Sequence, residues 1–226
     1  MATVQVRYSS ADRREQILDI ASSLFAQQGF RGTTTRLIAT RAAVTEALIF
    51  RHFPSKEELY WSVLERKLNS VGARERMEDV LQAGGDDLEL LSRLALNILE
   101  RRAKDTTLSR LLIFSALEKH ELSERFYRNY VSDYFEVLAN FVRSGMAAGR
   151  FREMNPLLAA RAFLGMVVYH SWMQELYGGK EFQEFDNEVV SRNLAAIWLQ
   201  GMQPELRRPK KQIPTRKRAN QNGHAK

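Results

Sequence analysis

Cysteine is absent from the 226-residue chain. Its absence excludes disulfide bonds, thiolate zinc sites and cysteine nucleophiles, and it fits a reducing compartment. The first residues lack the apolar core of a signal peptide, and no apolar run approaches the roughly 18 residues that a membrane-spanning helix requires. We therefore expect a cytoplasmic protein without membrane contact.

Signals for strands, metals and catalysis are also missing. No alternation of apolar and polar residues is long enough to predict a β-strand. The four histidines, at positions 52, 120, 170 and 224, lack the spacing of metal ligands, and Gly-rich phosphate loops and nucleophile elbows are absent. We expect no metal, no cofactor and no enzymatic activity. The clustered acids Glu118, Glu121 and Glu124 could form the active site of an all-α enzyme. A solvated acidic face is the favoured interpretation of these residues.

Positive charge is concentrated in two segments. The formal net charge is +7, and residues 207–226 contribute lysines and arginines but no acid. Without this tail the chain is nearly neutral. Residues 31–56 form the second basic segment, because they contain four arginines and one lysine but only one acid, Glu46. One basic segment in a neutral body is typical of a protein that binds nucleic acid.

Helical periodicity runs through almost the whole chain. A first helix is predicted by the apolar positions Ile17, Ile20, Ala21, Leu24 and Phe25, and Gly29 is expected to end it. Two short helices follow, the second over residues 46–52, and Ser55 opens a fourth helix through a capping box. Longer helices are predicted near residues 86–103, 106–118, 121–148, 156–177 and 185–201. The fold class is therefore all-α, with about nine helices.

The two short helices are joined by a turn of a few residues. This is the layout of a helix-turn-helix, although an ordinary helical hairpin has the same pattern. Between residues 36 and 56 the apolar residues suffice for one helix face only. The opposite face carries hydroxyls, cations and His52, which are the groups that contact phosphates. Composition therefore favours a DNA-binding surface.

Three stretches of this region resemble the DNA-binding domain of the TetR family of transcriptional regulators. They are RREQILDIASSLFAQQGF, TTTRLIATRAAVT and IFRHFPSKEEL, and the resemblance extends over about residues 13–64. Two positions depart from the family pattern. Ala43 stands where the turn usually has Gly, which is tolerable if its backbone stays right-handed, and Ile49-Phe50 replaces the usual Leu-Tyr, so Phe50 lacks a phosphate-binding hydroxyl.

The resemblance implies three regions. They are a helix-turn-helix DNA-binding domain with a flexible arm over residues 1–58, a helical ligand-binding and dimerisation domain over residues 59–203, and a disordered basic tail over residues 204–226. It implies a regulator, usually a repressor, that binds a near-palindromic double-stranded DNA operator as a homodimer. A small apolar or amphipathic effector would release it. A nonspecific nucleic-acid-binding protein acting through the tail is the main alternative, and truncation after Glu205 would then abolish binding.

The resemblance also implies a set of DNA-binding residues. They are Thr34, Thr35, Arg36, Thr45, Glu46, Ala47, Leu48, Phe50, Arg51, His52 and Lys56, with a further contribution from the arm between Arg7 and Arg14. Thr45 is expected to cap the recognition helix, while Ala47 and Leu48 could contact thymine methyl groups. Two interpretations of Glu46 remain open: it accepts a hydrogen bond from a cytosine amino group, or it pairs with Arg41 or Arg51.

Ligand and dimer residues are implied for the second domain. Five of the ten residues in 126–135 are aromatic, and the predicted ligand-binding residues are Phe114, Phe126, Tyr127, Tyr130, Tyr134, Tyr169, His170 and Met173. Aromatic residues at helical spacing also form ordinary cores, so both interpretations stay open. The last two helices are implied as the dimer interface through Val167, Val168, Val190, Leu194, Ile197 and Trp198. The centre of a monomeric core is the alternative for the apolar helix over residues 157–169.

Overall fold

The computed structural model describes residues 9–118 and 121–204, so Arg7 and Tyr8 of the predicted arm and nearly all of the basic tail lie outside it, whereas residues 10–14 of the arm belong to the first helix. Within these ranges the chain is helical and contains no strand, which confirms the all-α class. The first five helices are α1 (Ser10–Gly32), α2 (Thr35–Ala42), α3 (Glu46–His52), α4 (Lys56–Val71) and α5 (Ala73–Gln82). The others are α6 (Asp87–Lys104), α7 (Thr107–Leu117), α8 (Glu121–Phe126), α9 (Ser132–Ala147), α10 (Pro156–Glu175) and α11 (Asn187–Met202). A π-helical segment, Tyr127–Val131, joins α8 to α9.

Hydroxyl caps define where the short helices begin. The Thr34 hydroxyl accepts a hydrogen bond from the Leu37 amide at 3.1 Å, and the Thr45 hydroxyl accepts one from the Leu48 amide at 3.2 Å. Ser55 caps α4 in the same way. Each cap satisfies an amide that the first helical turn leaves without a partner, so the predicted beginnings of these helices have a local cause.

Two glycines change the predicted helix boundaries. Gly29 has a backbone of φ 73° and ψ 178°, but helical backbone resumes beyond it as far as Gly32. Gly29 therefore kinks α1 and does not end it. Gly72, at φ 49°, separates α4 from α5, whereas the sequence pattern predicted no clear break before Ala83. The helix α5 was missed because a single glycine inside an apolar pattern is an ambiguous signal.

Buried apolar side chains form two clusters. The first is built from α1 to α4, around Phe25, Ile49 and Trp61, and it also contains Leu111 of α7. The second lies mainly between α5, α6, α9, α10 and α11. The first cluster thus extends past residue 58, the predicted domain boundary, because α4 and α7 complete the core beneath the short helices.

Candidate nucleic-acid interface and effector cavity

The two short helices expose one face and bury the other. Ile49 on α3 and Phe53 just after it are each 1% exposed, and they fix the helix to the first cluster. Ala47 and Arg51 point outward, and the large ring of Phe50 is 45% exposed. A seven-residue helix held by its buried side leaves its opposite side available to a partner.

The beginning of α2 gathers groups that bind phosphate. Thr34 caps the helix and is exposed, Thr35 is its first residue, and Arg36 is exposed beside it. Amides at the start of a helix lack intrahelical acceptors and carry partial positive charge, so they attract anions. The structure therefore brings the three residues predicted for this phosphate contact to one end of α2.

The carboxylate of Glu46 points back toward α2. The Thr35 hydroxyl donates a hydrogen bond to Glu46 Oε2 at 3.2 Å. Within the described residues Glu46 forms no salt bridge with Arg41 or Arg51. Glu46 thus has a partner inside the protein, as the second interpretation expected. That partner is the Thr35 hydroxyl and not Arg41 or Arg51.

Two other predicted phosphate ligands have contacts inside the protein. The Lys56 ammonium lies 4.2 Å from the centroid of the Phe30 ring. Burial lowers the pKa of Lys56, and the nearby Glu57 and Glu118 partly oppose that lowering. His52 is half-buried, with its ring centroid 6.3 Å from that of Phe53. Of the basic residues predicted here, Arg36 and Arg51 are the ones whose side chains are exposed.

The turn between the two helices depends on a left-handed alanine. Ala43 has φ 52° and ψ 47°, so the right-handed backbone that would make Ala tolerable is not present. Its amide donates to Thr40 O at 3.3 Å, and the Val44 amide donates to Ala39 O at 3.0 Å. This pair of bonds is the Schellman motif, which requires a left-handed residue and usually has Gly there. The methyl group of Ala43 therefore strains the turn.

Replacing Ala43 by Gly is expected to raise the free energy of unfolding by about 0.5–1 kcal/mol, because Gly adopts the left-handed conformation without strain. Urea unfolding followed by circular dichroism measures the change. Ala42→Gly is the matched control, since Ala42 is helical and buried; it should lower stability by about 1 kcal/mol or more. A loss of stability in both variants would contradict the strain at Ala43.

Two family models and a curated relative match this architecture. Residues 17–63 match the model described as bacterial regulatory proteins of the tetR family. Residues 88–197 match the C-terminal domain of AefR-like transcriptional repressors. The HTH-type transcriptional repressor KstR2 of Rhodococcus jostii is 32% identical over 145 residues, which cover 62% of this chain and 68% of that protein. The chain belongs to the TetR family.

Further similarities extend over most of the chain. The HTH-type transcriptional regulator AcrR of Shigella flexneri is 27% identical over 215 residues, 91% of this chain and 97% of AcrR. A TetR-like regulator from Rhodococcus sp. RHA1 has a TM-score of 0.67 at 22% identity, covering 86% of this chain and 98% of the other. The regulator FadR from Bacillus subtilis, solved with stearoyl-CoA, has a TM-score of 0.64 at 21% identity, covering 83% and 98% of the two chains. At these identities the solved structures establish the fold alone. The family models and the curated relatives show that this TetR-family protein is a DNA-binding transcriptional regulator.

Helix α7 connects the DNA-binding core to the rest of this TetR-family regulator. Arg110 Nε donates to the carbonyl of Ala26 at 2.6 Å, and the buried Tyr60 hydroxyl donates to the carbonyl of Leu111 at 2.8 Å. At the end of the helix the carboxylate of Glu118 accepts the Arg31 amide at 3.3 Å. We call the bonds of Arg110 and Glu118 to α1 the α1–α7 junction, and the bond of Tyr60 ties α4 to the same helix. Glu118, predicted to lie on a solvated face, is instead half-buried in this junction.

A cavity of about 700 Å³ lies next to this junction, between α7 and the α8–π segment. It is lined by Leu112, Ser115, Ala116, Glu124, Phe126, Tyr127, Arg128 and Val131. Phe126 also packs against the first cluster, so one wall of this α7–α8 cavity belongs to the DNA-binding core. The buried Ser115 hydroxyl has no hydrogen-bond partner among the described residues, which leaves a polar group for a ligand.

The predicted ligand-binding residues lie at separate places. Phe126 and Tyr127 line the α7–α8 cavity, and Phe114 lies beside Gly29. Tyr134 packs against the second cluster, while Tyr169 is exposed and Met173 lies next to Gly179. His170 packs against the Phe185 ring at 5.7 Å, and burial lowers its pKa. The side chain of Tyr130 is outside the described part of the chain. Helical spacing alone could not show that these aromatics face different neighbours.

The predicted dimer residues also divide by exposure. Val167, Val190 and Trp198 are buried in the protomer's own second cluster, and Trp198 Nε1 donates to the carbonyl of Ala159 at 3.0 Å. Val168 and Leu194 are half-buried, whereas Ile197 is 58% exposed. The exposed apolar residues that the dimer prediction omitted are Leu157, Leu158 and Tyr169 on α10 and Val189 on α11.

Over the residues that the structure describes, each helix is too short or too polar to cross a bilayer.

Proposed function

We propose that this TetR-family regulator represses transcription by binding a near-palindromic operator as a homodimer and is released by a small apolar or amphipathic effector. The observation that carries the proposal is the exposed face of α2 and α3. It combines a hydroxyl-capped helix start, the exposed Arg36 and Arg51, and the small residue Ala47. This is a surface on which cations position the backbone of DNA and small side chains approach the bases.

The proposed contacts divide into two groups. Thr34, Thr35, Arg36 and Arg51 bind phosphates and fix the docking angle of α3 in the major groove. Ala47, Leu48 and Phe50 meet the base edges, where thymine methyl groups are their natural partners. Glu46 is held by Thr35, which turns its charge toward α2 and lessens its repulsion of the DNA backbone.

Dimerisation is supported by an exposed apolar face on the last two helices. Leu158 and Tyr169 lie on α10, and Val189 and Ile197 lie on α11. The two helices pack against each other, so these four side chains can form one patch. Exposed apolar patches of this kind mark protein interfaces, and a two-fold dimer presents its recognition helices to two half-sites.

The α7–α8 cavity supports an effector that is largely apolar. Its volume suits a small molecule, and five of its eight lining residues are aliphatic or aromatic, as is usual for a ligand pocket. The FadR structure from Bacillus subtilis contains stearoyl-CoA, which is an amphipathic ligand. Since Phe126 and α7 contact the DNA-binding core, an occupant that displaces them would change the position of α3. The effector then needs only a higher affinity for the conformation that does not fit the operator.

Replacing Arg36 or Arg51 by Ala tests the DNA contacts. Each change is expected to weaken operator binding several-fold for all sequences alike and to lower the slope of log K against log salt by about one. The measurement is fluorescence anisotropy on fragments selected from random DNA, at several salt concentrations. Arg93→Ala is the control, because Arg93 is exposed on α6 and pairs with Glu89. If the slope of log K against log salt stays unchanged in both variants, the exposed face of α2 and α3 does not bind the DNA phosphates.

Binding through the basic tail predicts a different result. Truncation after Glu205 would then abolish binding, whereas the proposed α2–α3 surface retains sequence-specific binding that is weaker and less dependent on salt.

A further inference from the structure

Two adjacent arginines in the last turn of α6 lack acidic partners. Arg101 and Arg102 are both half-buried, and no salt bridge within the described residues joins either one to a carboxylate. Apart from Glu205, the residues outside the described ranges contain no acid. Removing two cations from water without a counter-charge is costly, so their position calls for a physical cause.

The neighbours of the two arginines satisfy only part of their hydrogen-bonding capacity. Arg101 Nε donates to Asn97 O at 2.9 Å, and Arg102 Nη1 donates to the Ser109 hydroxyl at 2.6 Å. The Tyr134 hydroxyl also lies within hydrogen-bonding reach of the Arg101 guanidinium, but the buried Nη1 atom of Arg101 has no partner among the described residues. Buried polar atoms without partners are rare in native proteins, and a bound water molecule or ion is one explanation for them.

The electrostatic surroundings favour an anion at this place. Burial lowers the pKa of both Arg101 and Arg102; Tyr134 opposes the lowering at each, and Arg76 of α5 adds to it at Arg101. Three cations thus lie near one another. The α6 dipole stabilises positive charge at a helix C-terminus, but it provides no acceptor for Arg101 Nη1. A carboxylate or phosphate would supply both the acceptor and the charge.

The arginine cluster and the α7–α8 cavity have neighbouring residues in two segments of the chain. Ser109, which accepts from Arg102, precedes the cavity residue Leu112 by three positions on α7. Tyr134 of α9 follows the cavity residue Val131, the last residue of the π-helical segment, by three positions. Residues three apart on a helix share a face and lie about one turn, roughly 5 Å, apart. The polar cluster and the apolar cavity are therefore about one helical turn apart along α7 and along the segment that runs from the π-helical residues into α9.

We propose that Arg101 and Arg102, with the Tyr134 hydroxyl, bind the carboxylate or phosphate group of an amphipathic effector whose apolar part fills the α7–α8 cavity. This inference rests on the proposed function of the cavity as an effector site. It narrows that effector from an apolar or amphipathic molecule to an amphipathic anion.

The first test compares four probes on the full chain without DNA: decanoate, decyl phosphate, decanol and inorganic phosphate. Isothermal titration calorimetry gives the affinities. At least one decyl anion is expected to bind roughly 10- to 100-fold more tightly than decanol, since bonds to a charged group are each worth that much. Inorganic phosphate should bind weakly because it lacks the apolar chain. Equal affinities for anion and alcohol, or no binding of either decyl anion, would overturn the inference, and the tighter of the two anions identifies the head group.

The second test uses Arg101→Gln and Arg102→Gln, with Arg93→Gln as the control for loss of an exposed α6 arginine. Each of the first two variants should lose the preference for the anion while it still binds decanol. Without ligand, their melting temperatures should equal that of the parent or exceed it by about 2–4 °C, because an unpaired charge has been removed. A retained preference for the decyl anion over decanol would show that the arginines do not bind the head group. A fall in melting temperature beyond that of the control would show that they stabilise the fold. Either result would overturn the inference.

The inference and the proposed function fail independently. A chain that binds operator DNA but no decyl anion would overturn the anion site and leave the DNA-binding proposal intact. A chain that binds decanoate through Arg101 but shows no sequence-specific DNA binding would do the reverse.

Discussion

Replacing Ile197 by Glu is expected to convert the dimer into monomers and to weaken operator binding by about 100-fold or more. Ile197 is 58% exposed on α11, in the apolar patch proposed as the dimer interface. A carboxylate there would be buried against the partner without a counter-charge, which interfaces tolerate poorly. A monomer can hold only one half-site, so the gain in affinity from binding two linked half-sites is lost. Sedimentation velocity measures the association state, and fluorescence anisotropy measures the affinity for DNA.

Leu117→Glu is the matched control for this experiment. Leu117 is an apolar residue, 74% exposed, at the end of α7, and it lies outside the proposed patch. The same substitution should leave both the dimer and the DNA affinity unchanged. A dimeric Ile197→Glu variant with full operator affinity would contradict the interface on α10 and α11.

Replacing Gly29 by Ala is expected to lower the free energy of unfolding by about 2–4 kcal/mol. The backbone at Gly29, with φ 73° and ψ 178°, lies in a region that is essentially restricted to glycine. A Cβ atom would also overlap Glu118 Oε1 and lie 3.0 Å from Phe114 Cδ1. The substitution therefore combines backbone strain with displacement of the α1–α7 junction. Urea unfolding monitored by tryptophan fluorescence measures the loss.

Gly84→Ala separates the two causes. Gly84 has a similar φ of 74°, and a Cβ atom there would meet nothing within 4 Å. Its substitution should cost about 1 kcal/mol from strain alone. The excess loss at position 29 then reports its glycine-restricted backbone together with the contacts that a Cβ atom would make with Phe114 and Glu118. Equal losses at both positions would show that the junction yields at no cost, which would weaken its proposed role in effector release.

The DNA-binding region is well predicted from its sequence because its determinants are local. Thr34 and Thr45 cap helices within three residues, and Ile49 and Phe53 occupy the positions that their apolar spacing indicates. Ala43 shows the limit of local reasoning. Its departure from Gly was visible in the sequence, but its left-handed backbone was not, because the Schellman hydrogen bonds decide it.

The second domain was predicted less completely because its determinants are distant in sequence. Glu118 bonds to an amide 87 residues away, and Trp198 to a carbonyl 39 residues away. Spacing predicts that a residue faces inward, but it does not distinguish the protomer's own core from a dimer interface or a cavity. One signal was available for the unpaired arginines: Arg102 follows Ile98 by four positions and Leu99 by three, which places it on the apolar face of α6.

Selection of bound fragments from random DNA, followed by affinity measurement on the enriched sequence, tests the central claim most directly. The full chain should enrich a near-palindromic sequence with two half-sites and bind it as a dimer. It should bind this sequence about a thousandfold or more tightly than a scrambled version at physiological salt. Enrichment of no common sequence, or equal affinity for the selected and scrambled fragments, would contradict the account of this chain as a sequence-specific regulator acting through α2 and α3.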